Sequence, residues 1–252
     1  MRSVVLDVGN TTVKAGFFDE AGQLTAVRRA ATAGELAAEI AAFKPTRAIV
    51  SSVNAPAAVV AAAAGLKPAT TELFSATTQL PIRLAYATPE TLGADRVGAA
   101  VGAAHRFPGA AVLLVDAGTC LKCDWITADG AFAGGSISLG LRLRYRALAE
   151  LTGRLPLVAP GPADRMPDWP GDSTEASIRA GVEIGLLSEV LAFVAWGETR
   201  WPGVRMVFTG GDAPWLGVRL GAEGHHNFVV EPHLVLIGLY RVLLFSSDSS
   251  AA

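Results

Sequence analysis

An α/β fold built from two related halves is what this 252-residue sequence predicts, and three observations carry the prediction. About half of the residues are apolar (51%), enough for one large domain or two compact small ones. An apolar strand running into an Asp-x-Gly turn occurs twice, at Asp7-Val8-Gly9 and at Asp116-Ala117-Gly118. Each copy opens the same order of short alternating strands, turn and helix, which is the signature of an internal repeat.

In the first half, Ser3 to Asp7, Val13 to Phe18 and Leu24 to Arg29 alternate as a three-stranded meander. Gly9-Asn10-Thr11-Thr12 joins the first two strands and Asp19-Glu20-Ala21-Gly22 the second and third. An amphipathic helix from Glu35 to Phe43, a short strand from Ala48 to Ser52 and an Ala-rich helix from Ala55 to Ala64 follow. Thr91-Leu92-Gly93-Ala94-Asp95-Arg96 stands at the start of a further helix that runs to His105.

The second half restarts at Ala110, with strands at Val112 to Asp116, Leu121 to Ile126 and Ala131 to Ile137 and turns at Gly118-Thr119 and Ala128-Asp129-Gly130. With the second copy one residue shorter, Lys122 falls on Lys14 and Gly130 on Gly22. A helix from Leu141 to Leu151 precedes a Pro-, Gly- and Asp-rich loop from Leu155 to Ser173, and whether that loop closes over a ligand is left open. A long helix from Thr174 to Trp196, a strand from Val204 to Thr209, a Gly210-Gly211-Asp212 turn with a helix from Pro214, and a last helix from His233 to Phe245 complete the chain, with a fraying tail after Ser246. The repeat divides the sequence into domains 1–109 and 110–252.

Charged residues make up 17% of the chain without blocks of one sign, and the formal net charge is −2. That pattern argues against nucleic acid and against an anionic membrane surface as partners. Neither a signal peptide nor an uninterrupted apolar run of about 20 residues is present, so a soluble, cytoplasmic protein is expected. Cys120 and Cys123 fall three apart on a predicted strand, which turns them to opposite faces, and are read as reduced thiols rather than a redox or zinc pair. The four histidines show no metal or triad spacing, and the five tryptophans are scattered as packing residues.

A strand that ends in Asp beside a Gly- and hydroxyl-rich turn brings a carboxylate to a row of backbone N–H groups. The N–H groups suit phosphate oxygens and the carboxylate suits the accompanying Mg²⁺. Asp7-Val8-Gly9-Asn10-Thr11-Thr12-Val13-Lys14 has this form, Lys14 adding a point charge, although a single copy is equally well a capped hairpin. No Walker A loop and no G-x-G-x-x-G fingerprint occurs. Two such meanders, RNase H-like and facing one cleft with the active site between them, describe the actin, sugar kinase and Hsp70 superfamily. Thr209-Gly210-Gly211-Asp212 would let an adenosine lie on backbone there, or Asp212 is simply an N-cap. Gly93-Ala94-Asp95-Arg96 offers a carboxylate for an acceptor hydroxyl, a cation for an acidic substrate and a glycine for close approach, or Asp95 only complements a helix dipole.

Together with Tyr86, Gly134-Gly135-Ser136-Ile137 and Leu141-Arg142-Leu143, these motifs closely resemble type III pantothenate kinase over nearly the whole chain. The resemblance implies ATP-dependent phosphorylation of pantothenate to 4'-phosphopantothenate, with Mg²⁺ accompanying ATP. It implies Asp95 as the base, pantothenate held by Tyr86, Gly93, Ala94 and Arg96, and nucleotide phosphates held by Asp7 through Lys14 and Thr119. It further implies a monovalent cation, K⁺ or NH₄⁺, on Asp116, and a homodimer in which Thr174 reaches pantothenate across the interface. The apolar stretch Val182 to Val194 serves equally as interface or as core. Another kinase or phosphohydrolase of the superfamily, or a weakly catalytic regulatory homologue, is the rival reading.

Two departures from the family pattern stand out. Leu139 occupies a position where proline is usual, and Cys120-Leu121-Lys122-Cys123 replaces a run of small and threonine residues. Lys122 either points into the cleft, where its ammonium would occupy or repel the cation site at Asp116, or lies on the solvent face of a hairpin.

Overall fold

The computed structural model describes residues 1–9 and 12–249, with side chains to residue 246. The chain divides into two compact units, residues 1–106 with 234–252 and residues 107–233.

The first unit is organised on β1 (Ser3–Val8), β2 (Val13–Phe18), β3 (Leu24–Ala30), β4 (Arg47–Ser52) and β5 (Thr71–Leu73), in the order β3-β2-β1-β4-β5. The first three strands pair antiparallel as a meander, and β1/β4 and β4/β5 pair parallel. Val4, Leu6, Ala15, Phe17, Ala48 and Val50 form one buried face of this sheet with Leu36 and Ile40. Those last two lie on a 3₁₀ turn and on α1 (Ala37–Phe43), so the predicted amphipathic helix is present with a tighter first turn. Alternate-residue apolarity on the strands and a one-sided helix meet here in a single core. The Ala-rich helix is α2 (Ala57–Ala63), a two-residue strand β6 (Arg83–Leu84) follows, and α3 spans Ala94–Arg106.

The second unit repeats the plan. It holds β7 (Val112–Ala117), β8 (Cys120–Ile126), β9 (Ala131–Leu139), α4 (Leu141–Leu151), α5 (Thr174–Arg200), β10 (Arg205–Thr209), α6 (Ala213–Ala222) and β11 (Phe228–Val230). The strands run β11-β10-β7-β8-β9, with an antiparallel meander β7-β8-β9 and parallel β7/β10 and β10/β11 pairs. Third-second-first-fourth-fifth is therefore the order in both units. The repeat extends to detail: Asp7 lies opposite Lys14 and Asp116 opposite Lys122 in register, while Gly22 and Gly130 take φ of +78° and +77° in matching turns. Both glycines sit in the left-handed region that a side chain would strain.

The core of this unit joins Leu113, Val115, Leu121, Cys123 and Trp125 to Val182, Leu186, Val190 and Val194 of α5. The apolar stretch of α5 is thus consumed by its own core. Trp125, Trp196 and Trp201 pack together in edge-to-face and tilted pairs with centroids 5.0–5.6 Å apart, which gives three of the tryptophans packing roles. No helix among the described residues is long and apolar enough to cross a membrane.

The structure departs from the sequence reading at the final helix. Residues 110–252 were expected to form one domain, but α7 (Leu234–Ser249) belongs with the first unit. Backbone shape explains it. Gly98 and Gly102 of α3 and Gly238 of α7 remove the side chains at the crossing; a Cβ on Gly102 would meet Leu234 O at 2.5 Å, and one on Gly238 would strike Gly98 O. Tyr240 then stacks on Phe18 at 4.1 Å, fixing α7 against the first sheet. The helix also runs to Ser249, so the tail expected to fray after Ser246 is helical for three more residues and lies beyond 249 outside the described residues. The short strands β5, β6 and β11 were not expected.

Candidate active site

In the first unit, Asp7 is the penultimate residue of β1 and is buried, and the chain then turns so that Gly9 N donates to Thr12 O at 3.0 Å. Asn10 and Thr11, expected to hold phosphate with Val8, Gly9, Thr12, Val13 and Lys14, lie outside the described residues. Gly9 keeps an ordinary φ, and a Cβ there would approach only Thr12 O, at 3.5 Å, so the turn leaves open space beside its backbone. A cavity of about 360 Å³ adjoins it, lined by Val8, Gly9, Thr12, Ala33, Asn54 and Val60 among others. Asn54 was missed by sequence reasoning: its Nδ2 donates to Gly9 O at 2.9 Å and fixes the turn from the end of β4. A single Asn after a strand carries no signal that would have singled it out.

The acceptor cluster assembles at the start of α3. Asp95 Oδ1 accepts from the N–H of Arg96 at 2.9 Å, and the Arg96 guanidinium lies 5.7 Å from the centre of the Tyr86 ring. Arg96 is buried and Asp95 half-buried. Burial of an arginine against an aromatic face is the arrangement that suits recognition of an anion by a partly desolvated cation. Gly93 leaves room for the Asp95 side chain: a Cβ at 93 would lie 2.6 Å from Asp95 Oδ1 and would push the carboxylate from its place over the helix start. Ala94 is the first residue of the helix itself.

In the second unit the matching turn is differently occupied. Lys122 Nζ donates to Asp116 Oδ2 at 2.6 Å, with 13% and 15% of the two side chains exposed. The solvent-face reading of Lys122 is therefore wrong, and a carboxylate oxygen already bonded to an ammonium does not fit a monovalent metal ion as well. Gly118 N donates to Cys120 O, Thr119 is exposed, and Gly140 N donates to Thr119 O at 3.0 Å. Gly140 is the residue before α4, so the N-terminus of that helix backs onto this turn with its positive dipole end, a setting that suits an anion. Gly210, at φ +93°, brings the β10 turn against the same carboxylate: a Cβ there would lie 2.6 Å from Asp116 Oδ1.

Asp212 occupies the N-cap position of α6 but makes no cap bond with its side chain. It faces Arg142 Nε at 3.3 Å instead. Burial pushes its carboxyl above the ordinary value, and Arg142 partly opposes the shift. Cys123 is fully buried, and burial pushes its thiol up to about 12, which leaves it inert; Cys120 is a free thiol as expected. Among the described residues no group of three or more His, Cys, Asp or Glu side chains could hold a metal. Asp7, buried beside the first turn, is the carboxylate that would serve an Mg²⁺ accompanying bound phosphates.

Thr174 opens α5, where Ser173 Oγ caps the helix by accepting from Ala176 N at 3.2 Å. It lines a groove of about 1120 Å³ between α4 and α5, with Leu139, Leu148, Leu151, Leu155 and Ile178, and shares no lining with the Asp116 turn.

Comparison with known proteins follows the same lines. A family model described as type III pantothenate kinase matches residues 3–195. A type III pantothenate kinase of Bacteroides fragilis is 36% identical over 97% of this chain and 98% of its own length. One from Cytophaga hutchinsonii is 37% identical over 97% and 99%. Among solved structures, a Sinorhizobium meliloti protein provisionally named a 2-dehydro-3-deoxygalactonokinase superposes with a TM-score of 0.60 at 15% identity, covering 98% of this chain and 99% of that one. The activator of 2-hydroxyisocaproyl-CoA dehydratase from Clostridium difficile, with bound ADPNP, gives 0.55 at 12% identity, covering 100% and 97%. Such likeness shows that the chain shares its fold with these proteins. With a matching family model over most of the sequence and relatives above 35% identity along its length, the chain belongs to the type III pantothenate kinase family.

Proposed function

We propose that this protein transfers the γ-phosphate of ATP to the primary hydroxyl of pantothenate, giving 4'-phosphopantothenate and ADP at the entry to coenzyme A synthesis. The single observation that carries the reading is the Tyr86, Asp95 and Arg96 cluster at the start of α3. Pantothenate presents one carboxylate and one primary hydroxyl, and the cluster presents one buried cation and one carboxylate. Arg96 pairs with the acid; Asp95 takes the hydroxyl proton as that oxygen attacks the γ-phosphorus and the bond to the β-phosphate oxygen breaks. Asp7 through Lys14 and Thr119 are assigned to the nucleotide phosphates, and Mg²⁺ would neutralise charge there when bound.

The same reading includes a homodimer in which Thr174 of one copy serves pantothenate in the other. It is supported by the α4/α5 groove and by Leu151 on its rim, which is 83% exposed. A cytoplasmic setting is in keeping with two unpaired cysteines.

Purified protein assayed with ATP, Mg²⁺ and pantothenate, beside Asp95→Asn, tests the assignment. Turnover reduced by about 10²-fold or more in the variant is expected of a general base. Unchanged turnover would remove Asp95 from that role, and no turnover by wild-type protein on pantothenate would refute the reading. Light scattering on the same samples reads the assembly: 26.0 kDa is one chain, and a mass of one chain only would discard the dimer.

A further inference from the structure

The ion pair at the second turn is placed where it changes how the site is charged. Asp116 and Lys122 face each other directly across β7 and β8, so their side chains leave the same face of the sheet with Cβ atoms about 5 Å apart. One carboxylate oxygen takes the ammonium at 2.6 Å, a charge-assisted distance, and the other lies toward Gly210 and Gly118, the glycines of two turns. Both side chains are largely removed from water. An unpaired carboxylate in this place would repel an arriving polyphosphate; an ion of single positive charge at hydrogen-bonding distance cancels it.

We infer that Lys122 is the built-in monovalent cation of this protein, a tethered ammonium that does at Asp116 what a diffusible K⁺ or NH₄⁺ would otherwise have to do, so that nucleotide binding needs no such ion. The inference rests on the reading of the substrate as ATP. Charge and size agree, since an ammonium and K⁺ both take carboxylate oxygens at short range. Geometry favours the tether, because strand register delivers Nζ to the oxygen without any ion having to be captured from solution. The first unit has the same register, Asp7 opposite Lys14, which shows that a lysine at this hairpin position belongs to the repeated plan.

The test measures affinity for Mg²⁺–ATP by calorimetry, and thermal unfolding without nucleotide, in potassium chloride and in tetramethylammonium chloride at equal ionic strength. Tetramethylammonium is too large to replace K⁺ on a carboxylate. Wild-type protein is expected to bind with dissociation constants that agree within about twofold in the two salts. Lys122→Met, which keeps the stem and removes the charge, is expected to bind about tenfold more weakly in tetramethylammonium and to recover in potassium or ammonium chloride. Its unfolding temperature should rise with K⁺, and that of Asp116→Asn/Lys122→Met should not. Wild-type affinity that tightens about tenfold with K⁺ overturns the inference, as does a Lys122→Met protein indifferent to the salt. Should Lys122→Met fail to fold, the wild-type comparison decides alone. Pantothenate is absent throughout, so a protein that binds ATP without K⁺ yet phosphorylates no pantothenate would refute the proposed activity and leave this inference standing.

Discussion

Glu183 is the side chain whose loss the second unit should tolerate least. It lies on α5, 1% exposed, and its two oxygens accept from Tyr145 Oη at 2.8 Å, Gly161 N at 2.7 Å and Arg219 Nη2 at 2.6 Å. Arg219 is equally buried, stacks over Trp215 at 4.9 Å and donates to Pro162 O at 2.9 Å. One carboxylate therefore ties α4, α5, α6 and the 155–173 loop together; burial first, and then the hydrogen bond to Glu183 and its charge, raise the Tyr145 hydroxyl well above its ordinary value. Glu183→Ala strands a buried guanidinium and orphans two donors, and breaking a buried pair from one side costs about 3–5 kcal/mol. Urea unfolding would read that loss directly, and the melting temperature should fall by roughly 10 °C. The decisive comparison is Glu183→Met/Arg219→Met. Removing both charges leaves neither uncompensated, so the double variant should be more stable than Glu183→Ala despite the extra substitution. A single-variant cost below about 1 kcal/mol, or a double variant less stable than the single, would refute the reasoning.

Two further outcomes follow from the geometry. Gly238→Ala should destabilise by about 2 kcal/mol or more, because the added methyl meets the backbone of α3 rather than a side chain that can move; a neutral melting curve would mean that the helices separate freely. Asp212→Asn tests the sign of a shifted titration. The folded carboxyl is raised above 3.8, so burial penalises its ionised form: the stability linked to its protonation is present below 3.8 and lost as pH rises through the folded value. Because Arg142 is mostly exposed, losing that pair costs little. Asp212→Asn should thus melt higher than wild type at neutral pH, with the gain vanishing by about pH 4; a gain that persists in acid would contradict the assignment.

The sequence made much of this legible where a residue's local neighbours decide its place. Strand periodicity located the meanders, and two Asp-x-Gly turns with matched lysines and glycines announced the repeat that the shared strand order bears out. Asp95, Arg96 and Tyr86 do meet at one helix end. What escaped notice depends on partners distant in sequence. Asn54 is 45 residues from the turn it supports, and Glu183 is 36 from Arg219. The edge strands β5 and β11 have three residues each, too few for alternation to show. Lys122 was visible as a cation out of pattern, but only the register across β7 and β8 decided between solvent and Asp116. The return of α7 to the first unit was written in Gly98, Gly102 and Gly238, residues that read as ordinary helix blemishes until their contacts are known.

That return sets an order of events on the ribosome. Domains usually mature from the N-terminus onward as the chain emerges. Here residues 1–106 leave the exit tunnel first but lack the helix that covers Phe18 and fits the glycine face of α3 until residues 234–249 follow. Residues 107–233 are contiguous, with every strand and helix of their unit already present, so the half made second is the half able to finish first. Until its last sixteen residues of helix are translated, the nascent chain must carry the bare side of α3, and a stop codon at the start of α7 would cripple the unit made first while leaving residues 107–233 whole.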